Sequence, residues 1–170
     1  MNISFIIPTL NRDTLKRTID SIDAWEGDEI LVEVDKPSRN MWGNPGRNNA
    51  MHRARGDYLA FIDDDDYYVP NHRHIMQQAI DAHPAKPILF RMRYPNGDYL
   101  WKTKEIIPGN IGSAMILVPN QPERLVHWKD GRNMADFIFV DHWSWKDDEV
   151  IWSEEVIALL GHDGANYATT

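Results

Sequence analysis

The sequence predicts an α/β protein: a mostly parallel central sheet flanked by helices, with a small antiparallel sheet from the second half. Three observations carry this. An apolar run at 3–7, a helical stretch with Leu15, Ile19 and Ile22 on one face, and a strand-like run at 29–34 follow in strand–helix–strand order, which is how a parallel sheet begins. A third run, at 58–62, is apolar throughout and suits a central strand covered on both faces. In the second half, 88–94 and 99–102 flank Pro95-Asn96-Gly97-Asp98, a hairpin turn.

Each element has its local reason. Pro8 cannot donate to a ladder and stops the first strand. Residues 9–13 read as a turn and helix start, with Asn11 or Asp13 able to cap. The second strand ends in Asp35-Lys36-Pro37-Ser38, a turn-forming cluster. Residues 40–47, rich in Gly, Asn and Pro, read as a loop, and a short helix follows at 48–55, closed by Gly56. Asn71 can cap a helix carrying Ile75, Met76, Ala79 and Ile80, which ends before Pro84. Residues 113–118 form another apolar strand after the flexible 108–112. Residues 135–145 suit a helix, although the run 137–140 also suits a strand, and 150–152 and 156–160 read as two short late strands.

Composition narrows the class. The 170 residues are 42% hydrophobic and show no repeat or linker-like stretch, so a single domain is expected. No apolar run approaches a membrane span and the N-terminus lacks the pattern of a secretory signal. Cysteine is absent, which excludes disulfides, thiolate metal sites and Cys nucleophiles and points to a cytoplasmic location. The net charge of −8 makes the molecule a poor generic binder of polyanions, so a nucleic-acid partner is disfavoured though still open. Seven Trp and six Tyr supply either a large aromatic core or stacking surfaces.

The most informative feature is Asp63-Asp64-Asp65-Asp66, directly after the third strand. Close carboxylates repel by about 1 kcal/mol per pair in water and more in a protein. A divalent cation removes that cost and takes hard oxygen ligands. In a strand-like backbone Asp63 and Asp65 project to one side, with Asp64 and Asp66 to the other. The carboxyl end of a parallel sheet is also where α/β folds place ligands.

These runs resemble glycosyltransferase family 2 enzymes with the GT-A fold. ISFIIPTLNR at 3–12 is similar to the family's opening strand and turn, and GRNNAMHRARGDYLAFIDDDD at 46–66 is similar to its run from an Arg-Asn helix start to an Asp-x-Asp strand end. One departure is Asn49-Ala50, where the family usually has Gly. The resemblance implies a short, minimal GT-A domain with a Rossmann-like sheet, residues 1–100 binding nucleotide and 101–170 carrying acceptor and catalytic residues. It implies transfer from a nucleotide-diphosphate sugar, foremost a UDP-sugar, to an acceptor hydroxyl, inverting by direct displacement. The acceptor is left unidentified.

By the same resemblance, Pro8, Thr9, Asn11 and Arg12 form the first nucleotide-contacting loop, and Asp35 accepts from the base. Arg47 and Asn48 begin a helix facing the donor. Asp65 is the first ligand of a divalent metal, Mn²⁺ or Mg²⁺, with Asp63 touching ribose or a metal-bound water. Asp64 is grouped with the nucleotide contacts, although one of Asp64 and Asp66 could be solvent-exposed. The metal would stabilise charge on the departing diphosphate, and a carboxylate base would activate the acceptor.

For the base, Asp136 in NMADFIFVDHW (133–143) is the nearest match to the family's acidic residue ahead of aromatics, and Asp141 is second. On a helix the two are turned about 140° apart, so at most one faces the site. His162, in GHDGAN (161–166), resembles the family's tail where a His completes the metal shell. Trp101, Trp128, Trp143 and Trp145 suit core packing first and a stacking floor second, and exposed aromatics would let a homodimer complete the acceptor side. Three other readings remain at this level: a nucleotidyltransferase, disfavoured by the lack of Gly after the first strand; a phosphatase of the haloacid-dehalogenase type, disfavoured by Tyr67 two residues past Asp65; and a non-catalytic carbohydrate- or metal-binding module.

Overall fold

The computed structural model describes residues 1–35, 42–129, 134–145 and 147–161. Its elements are β1 (Ile3–Thr9), α1 (Leu15–Asp20), β2 (Glu29–Val34), α2 (Asn44–Met51), β3 (Tyr58–Phe61), β4 (Tyr67–Tyr68), α3 (His72–Ala82), β5 (Ile88–Arg93), β6 (Tyr99–Leu100), β7 (Ile116–Pro119), α4 (Ala135–Asp141) and β8 (Ile151–Leu159). All strands join one eight-stranded sheet, ordered β2-β1-β3-β7-β5-β8-β4, with β6 on β5. The antiparallel pairing expected of the second half is present, but it lies within this sheet rather than in a second one.

Direction places the site. β1 pairs parallel with β2 and β3, and β5 pairs parallel with β8. β7 runs antiparallel to both β3 and β5, so β1, β2, β3, β5 and β8 all point the same way. Their carboxyl ends deliver Thr9, Asp35, Asp63, Tyr94 and Gly161 to one edge. Period-two alternation sorts the core onto the two faces. Ile3, Phe5, Ile7, Ala60 and Ile62 pack with Met76 and Ile80 of α3. Ile6, Leu59 and Phe61 turn to the opposite face, where Phe139 and Val140 of α4 and Trp128 cover them.

Several boundaries differ from the sequence expectation. β1 runs through Pro8 because Ile6 O accepts from Ile62 N toward β3 whereas Thr9 O accepts from Asp35 N toward β2. The proline nitrogen therefore faces the β3 side, beyond the last β1–β3 pair at Ile6, and the missing donor costs nothing. α2 starts at Asn44, inside the expected loop, with Pro45 in its first turn and Gly43 at φ 77 before it; proline is preorganised there. Gly56 does not cap that helix. It lies against Ser4, whose hydroxyl accepts its N–H at 2.9 Å. Thr14, not Asn11 or Asp13, precedes α1, with no side-chain cap. α4 ends at Asp141, and the two late strands are one, β8, whose register slips against β5 between Leu89 and Met92.

A buried ion pair ties the N-terminal edge. Arg73 Nε donates to Asp28 Oδ2 at 2.7 Å, with both side chains almost wholly buried. Asp28 also accepts from Ile3 N and Trp25 N, while Arg73 reaches Met1 O and lies over the Trp25 ring at 4.3 Å. Burial alone would raise the Asp28 carboxyl; Arg73 and the two backbone donors outweigh it and hold it below its ordinary value. Arg73→Met should destabilise the fold by about 3–5 kcal/mol in urea unfolding, because Asp28 is left charged and unpaired. A carboxyl lowered on folding stabilises above its unfolded pKa of about 4 and loses that contribution as pH falls through its folded value. The wild-type advantage should therefore shrink below about pH 4.

Candidate active site

The acidic run leaves β3 as a tight turn in which Asp66 N donates to Asp63 O at 3.1 Å. Its four carboxylates divide by exposure. Asp63 and Asp65 are half-buried, while Asp64 and Asp66 are buried. Exposure alternates along the run, but the strand-like projection expected of it gives way to this turn, and neither Asp64 nor Asp66 is solvent-exposed.

Each of the four has an identified neighbour. Asp64 turns under the loop after β1, accepting from Thr9 Oγ1 at 2.6 Å and Leu10 N at 3.3 Å. Thr9 Oγ1 in turn accepts from Asn11 N at 2.8 Å, with Asn11 at φ 59. The loop carrying Asn11 and Arg12 is thus shaped by Asp64. Asp65 Oδ2 accepts from Arg12 at 2.6 Å, and the same guanidinium nitrogen lies 3.3 Å from Asp64 Oδ1. Asp63 pairs with Arg47. Asp66 Oδ1 accepts from Gly161 N at 3.0 Å, and its carboxyl is raised by burial and by the Asp63 and Asp65 carboxylates.

Arg47 is fixed on all sides. Its side chain is buried, donates to Trp42 O at 2.7 Å and Asn44 Oδ1 at 3.1 Å, and stacks on Trp128 at 4.6 Å. Asn48, one residue on, uses its amide to grip the main chain of Trp128, 2.9 Å to its O and 2.8 Å from its N. It positions that segment rather than opening onto the edge. Trp101, Trp128, Trp143 and Trp145 are all buried, so they serve as core and, for Trp128, as the platform under Arg47. Asp35 sits beyond β2, next to Gly46 of α2: a Cβ on that glycine would lie 3.6 Å from Asp35 Oδ2. Pro8 packs against Gly43.

Asp136 stands in the first turn of α4. Burial pushes its carboxyl up to about 7, against the lowering effect of Arg47 and with Asp63 adding to the rise. Both influences place it beside the acidic edge. Asp141 lies at the far end of α4, exposed and 3.8 Å from His142, so the two candidates are separated as helical geometry requires. His162 lies outside the described residues.

The donor set suits a hard divalent cation: half-open carboxylates at a sheet edge, already drawing two guanidinium groups as counter-ions. Among the described residues no three His, Asp or Glu side chains converge as a ready metal cage. Sequence reading did not assign a role to Gly161, Asp66 or Asn44: Gly161 and Asp66 lie far apart in the chain, and Asn44 bonds both the neighbouring Arg47 and the distant Lys129 O.

Residues 32–138 match the model of glycosyl transferase family 2. The chain belongs to glycosyl transferase family 2. It is 24% identical over 144 residues to a protein described as an uncharacterized glycosyltransferase in Haemophilus influenzae, covering 70% of this chain and 49% of that one. The chain thus spans about half the length of that relative. Its fold is of the GT-A type, superposing on S. aureus TarS with a TM-score of 0.72 at 15% identity over 98% of this chain and 38% of that one. A TarS 1–349 structure in complex with UDP-GlcNAc matches with a TM-score of 0.65 at 14% identity, covering 100% of this family 2 chain and 62% of TarS 1–349. No helix among the described residues is long and apolar enough to cross a membrane.

Proposed function

We propose that this family 2 domain transfers a sugar from a nucleoside-diphosphate sugar, foremost a UDP-sugar, to an acceptor hydroxyl with inversion, assisted by a divalent cation. The observation that carries the reading is the meeting, at one sheet edge, of half-open Asp63 and Asp65 with a carboxyl at Asp136 poised near neutrality. The UDP and UDP-GlcNAc complexes of TarS support the choice of donor.

In this reading the loop at Pro8, Thr9 and Asn11 and the Asp35 carboxylate hold the base and ribose beside α2, where Gly46 leaves room. Asp65 would hold the cation and Asp63 the ribose or a bound water. Mn²⁺ or Mg²⁺ would supply charge neutralisation for the departing diphosphate. Arg47, immobilised on Trp128, offers a preorganised guanidinium on the donor side, effective because it needs no reorganisation as charge develops. Asp136 takes the proton of the acceptor hydroxyl as that oxygen bonds to the anomeric carbon and the carbon–diphosphate bond breaks. Attack from the face opposite the leaving group inverts the centre.

A thermal-shift panel of nucleoside diphosphates and their sugars, with and without Mn²⁺, tests this. At ligand a hundredfold above Kd, stabilisation of about 2.7 kcal/mol should raise Tm by about 5–10 °C, and only with the cation present. No Mn²⁺-dependent shift with any nucleoside diphosphate or nucleotide sugar would defeat the proposal.

A further inference from the structure

We propose that Arg12 is an exchangeable counter-ion: it occupies Asp65 while the site is empty, yields it to the cation, and then pairs with the diphosphate, so that cation and nucleotide bind cooperatively. This rests on the cation-assisted reading above and adds to it a coupling residue.

The two arginines at the edge differ in what holds them. Arg47 is buried to 4% side-chain exposure, bonded to Trp42 O and Asn44, and stacked on Trp128. It cannot leave without vacating a packed slot. The Arg12 side chain is 50% exposed, and it pairs with the carboxylates of Asp64 and Asp65. Asp64 already accepts from Thr9 Oγ1 and Leu10 N, so its charge stays hydrogen-bonded when Arg12 departs. Asp65 is the partner a cation would take, and a guanidinium 2.6 Å from its oxygen cannot share that oxygen with a divalent ion.

Arg12 sits three residues past the last residue of β1, on the loop that Asp64 and Thr9 hold in shape. The backbone therefore stays while the side chain swings. A planar guanidinium released over the carboxyl edge is well matched to a diphosphate. Whatever holds Arg12 away from Asp65 favours the cation, and linkage makes the effect equal in both directions.

The test is Mn²⁺ binding, followed by the free-ion EPR signal and by calorimetry, with and without UDP. The proteins are wild type, Arg12→Gln, Arg12→Lys and Lys16→Gln, each checked by circular dichroism. Lys16 pairs with Asp20 on the exposed side of α1, so its variant measures the loss of one positive charge away from Asp65. For an exposed pair the competition is worth about 2–5-fold, so Arg12→Gln should bind Mn²⁺ alone tighter by that factor. The same variant should bind UDP more weakly and show a smaller UDP-induced gain in Mn²⁺ affinity. Arg12→Lys should fall between, and Lys16→Gln should match wild type. The proposal is overturned if Arg12→Gln takes Mn²⁺ no more tightly than wild type, or if Lys16→Gln tightens it equally. If wild type binds Mn²⁺ and Arg12→Gln is unchanged, the exchange alone fails. If wild type takes no Mn²⁺ even with UDP, the cation-assisted reading falls, and the exchange with it.

Discussion

Asp136→Asn should lower kcat for sugar transfer by about 10²–10⁴-fold, the usual worth of a positioned base, while leaving Mn²⁺-dependent UDP binding unchanged. Asparagine keeps the shape and cannot accept the proton. The pH profile supplies a second readout. A base works as the carboxylate, and burial holds this carboxyl at about 7, so kcat/KM should rise with pH through an apparent pKa near that value and flatten above it. A bound cation adds positive charge nearby and favours the ionised form. The acidic limb of kcat, which reports the loaded enzyme, should therefore lie at lower pH than that of kcat/KM. Stability should move the opposite way. A carboxyl raised on folding binds its proton more tightly in the native state, so stability falls as pH climbs from about 4 to about 7. Asp136→Asn removes that penalty and should melt higher than wild type at pH 8. A variant that keeps its kcat, or a kcat/KM profile flat between pH 5 and pH 8, would remove Asp136 from the reaction.

The sequence showed the strands and helices wherever an element's own residues carry its signal, and much less where a distant contact makes the element. The apolar run at 3–7 identifies a strand covered on both faces, and β2 lies where its own run stands, Glu29–Val34. β4 could not be read from Tyr67-Tyr68, because it exists through pairing with Leu159 and Ala158. The joining of two late runs into β8 depends on β5 bridging an irregular register. The acidic cluster was legible at the site as a concentration of like charge that needs compensation. Its division of labour was not: Asp64 is engaged by Thr9, 55 residues away, and Asp66 by Gly161, 95 residues away. The family resemblance placed Arg12 and Arg47 on the donor side, but what holds Arg47 in its slot, Trp128 and Asn44, shows only in the folded chain.

Gly161→Ala should weaken Mn²⁺-dependent UDP binding by roughly tenfold or more, a loss of about 1.4 kcal/mol per decade. β4 folds back on β8 through Tyr67↔Leu159 and Tyr68↔Ala158, which brings the residue after β8's end region under the acidic turn. There the Gly161 N–H reaches Asp66, and a Cβ would overlap the Asp65 carbonyl oxygen and crowd the Arg17 guanidinium, itself bonded to that oxygen at 3.2 Å. Backbone meets backbone with no space between. An added methyl has to displace the Asp65 peptide, and the carboxylate proposed to hold the cation moves with it. Overpacking of this kind costs about 1–3 kcal/mol of stability, so the binding loss must be read against a glycine control. Gly97, at φ 94 in the β5–β6 turn, has open space around a Cβ. Gly97→Ala should lose about 1 kcal/mol through backbone strain and keep its nucleotide affinity. If Gly161→Ala behaves the same way, unstable but binding UDP and Mn²⁺ as wild type does, the clamp shapes the fold without aiming Asp65.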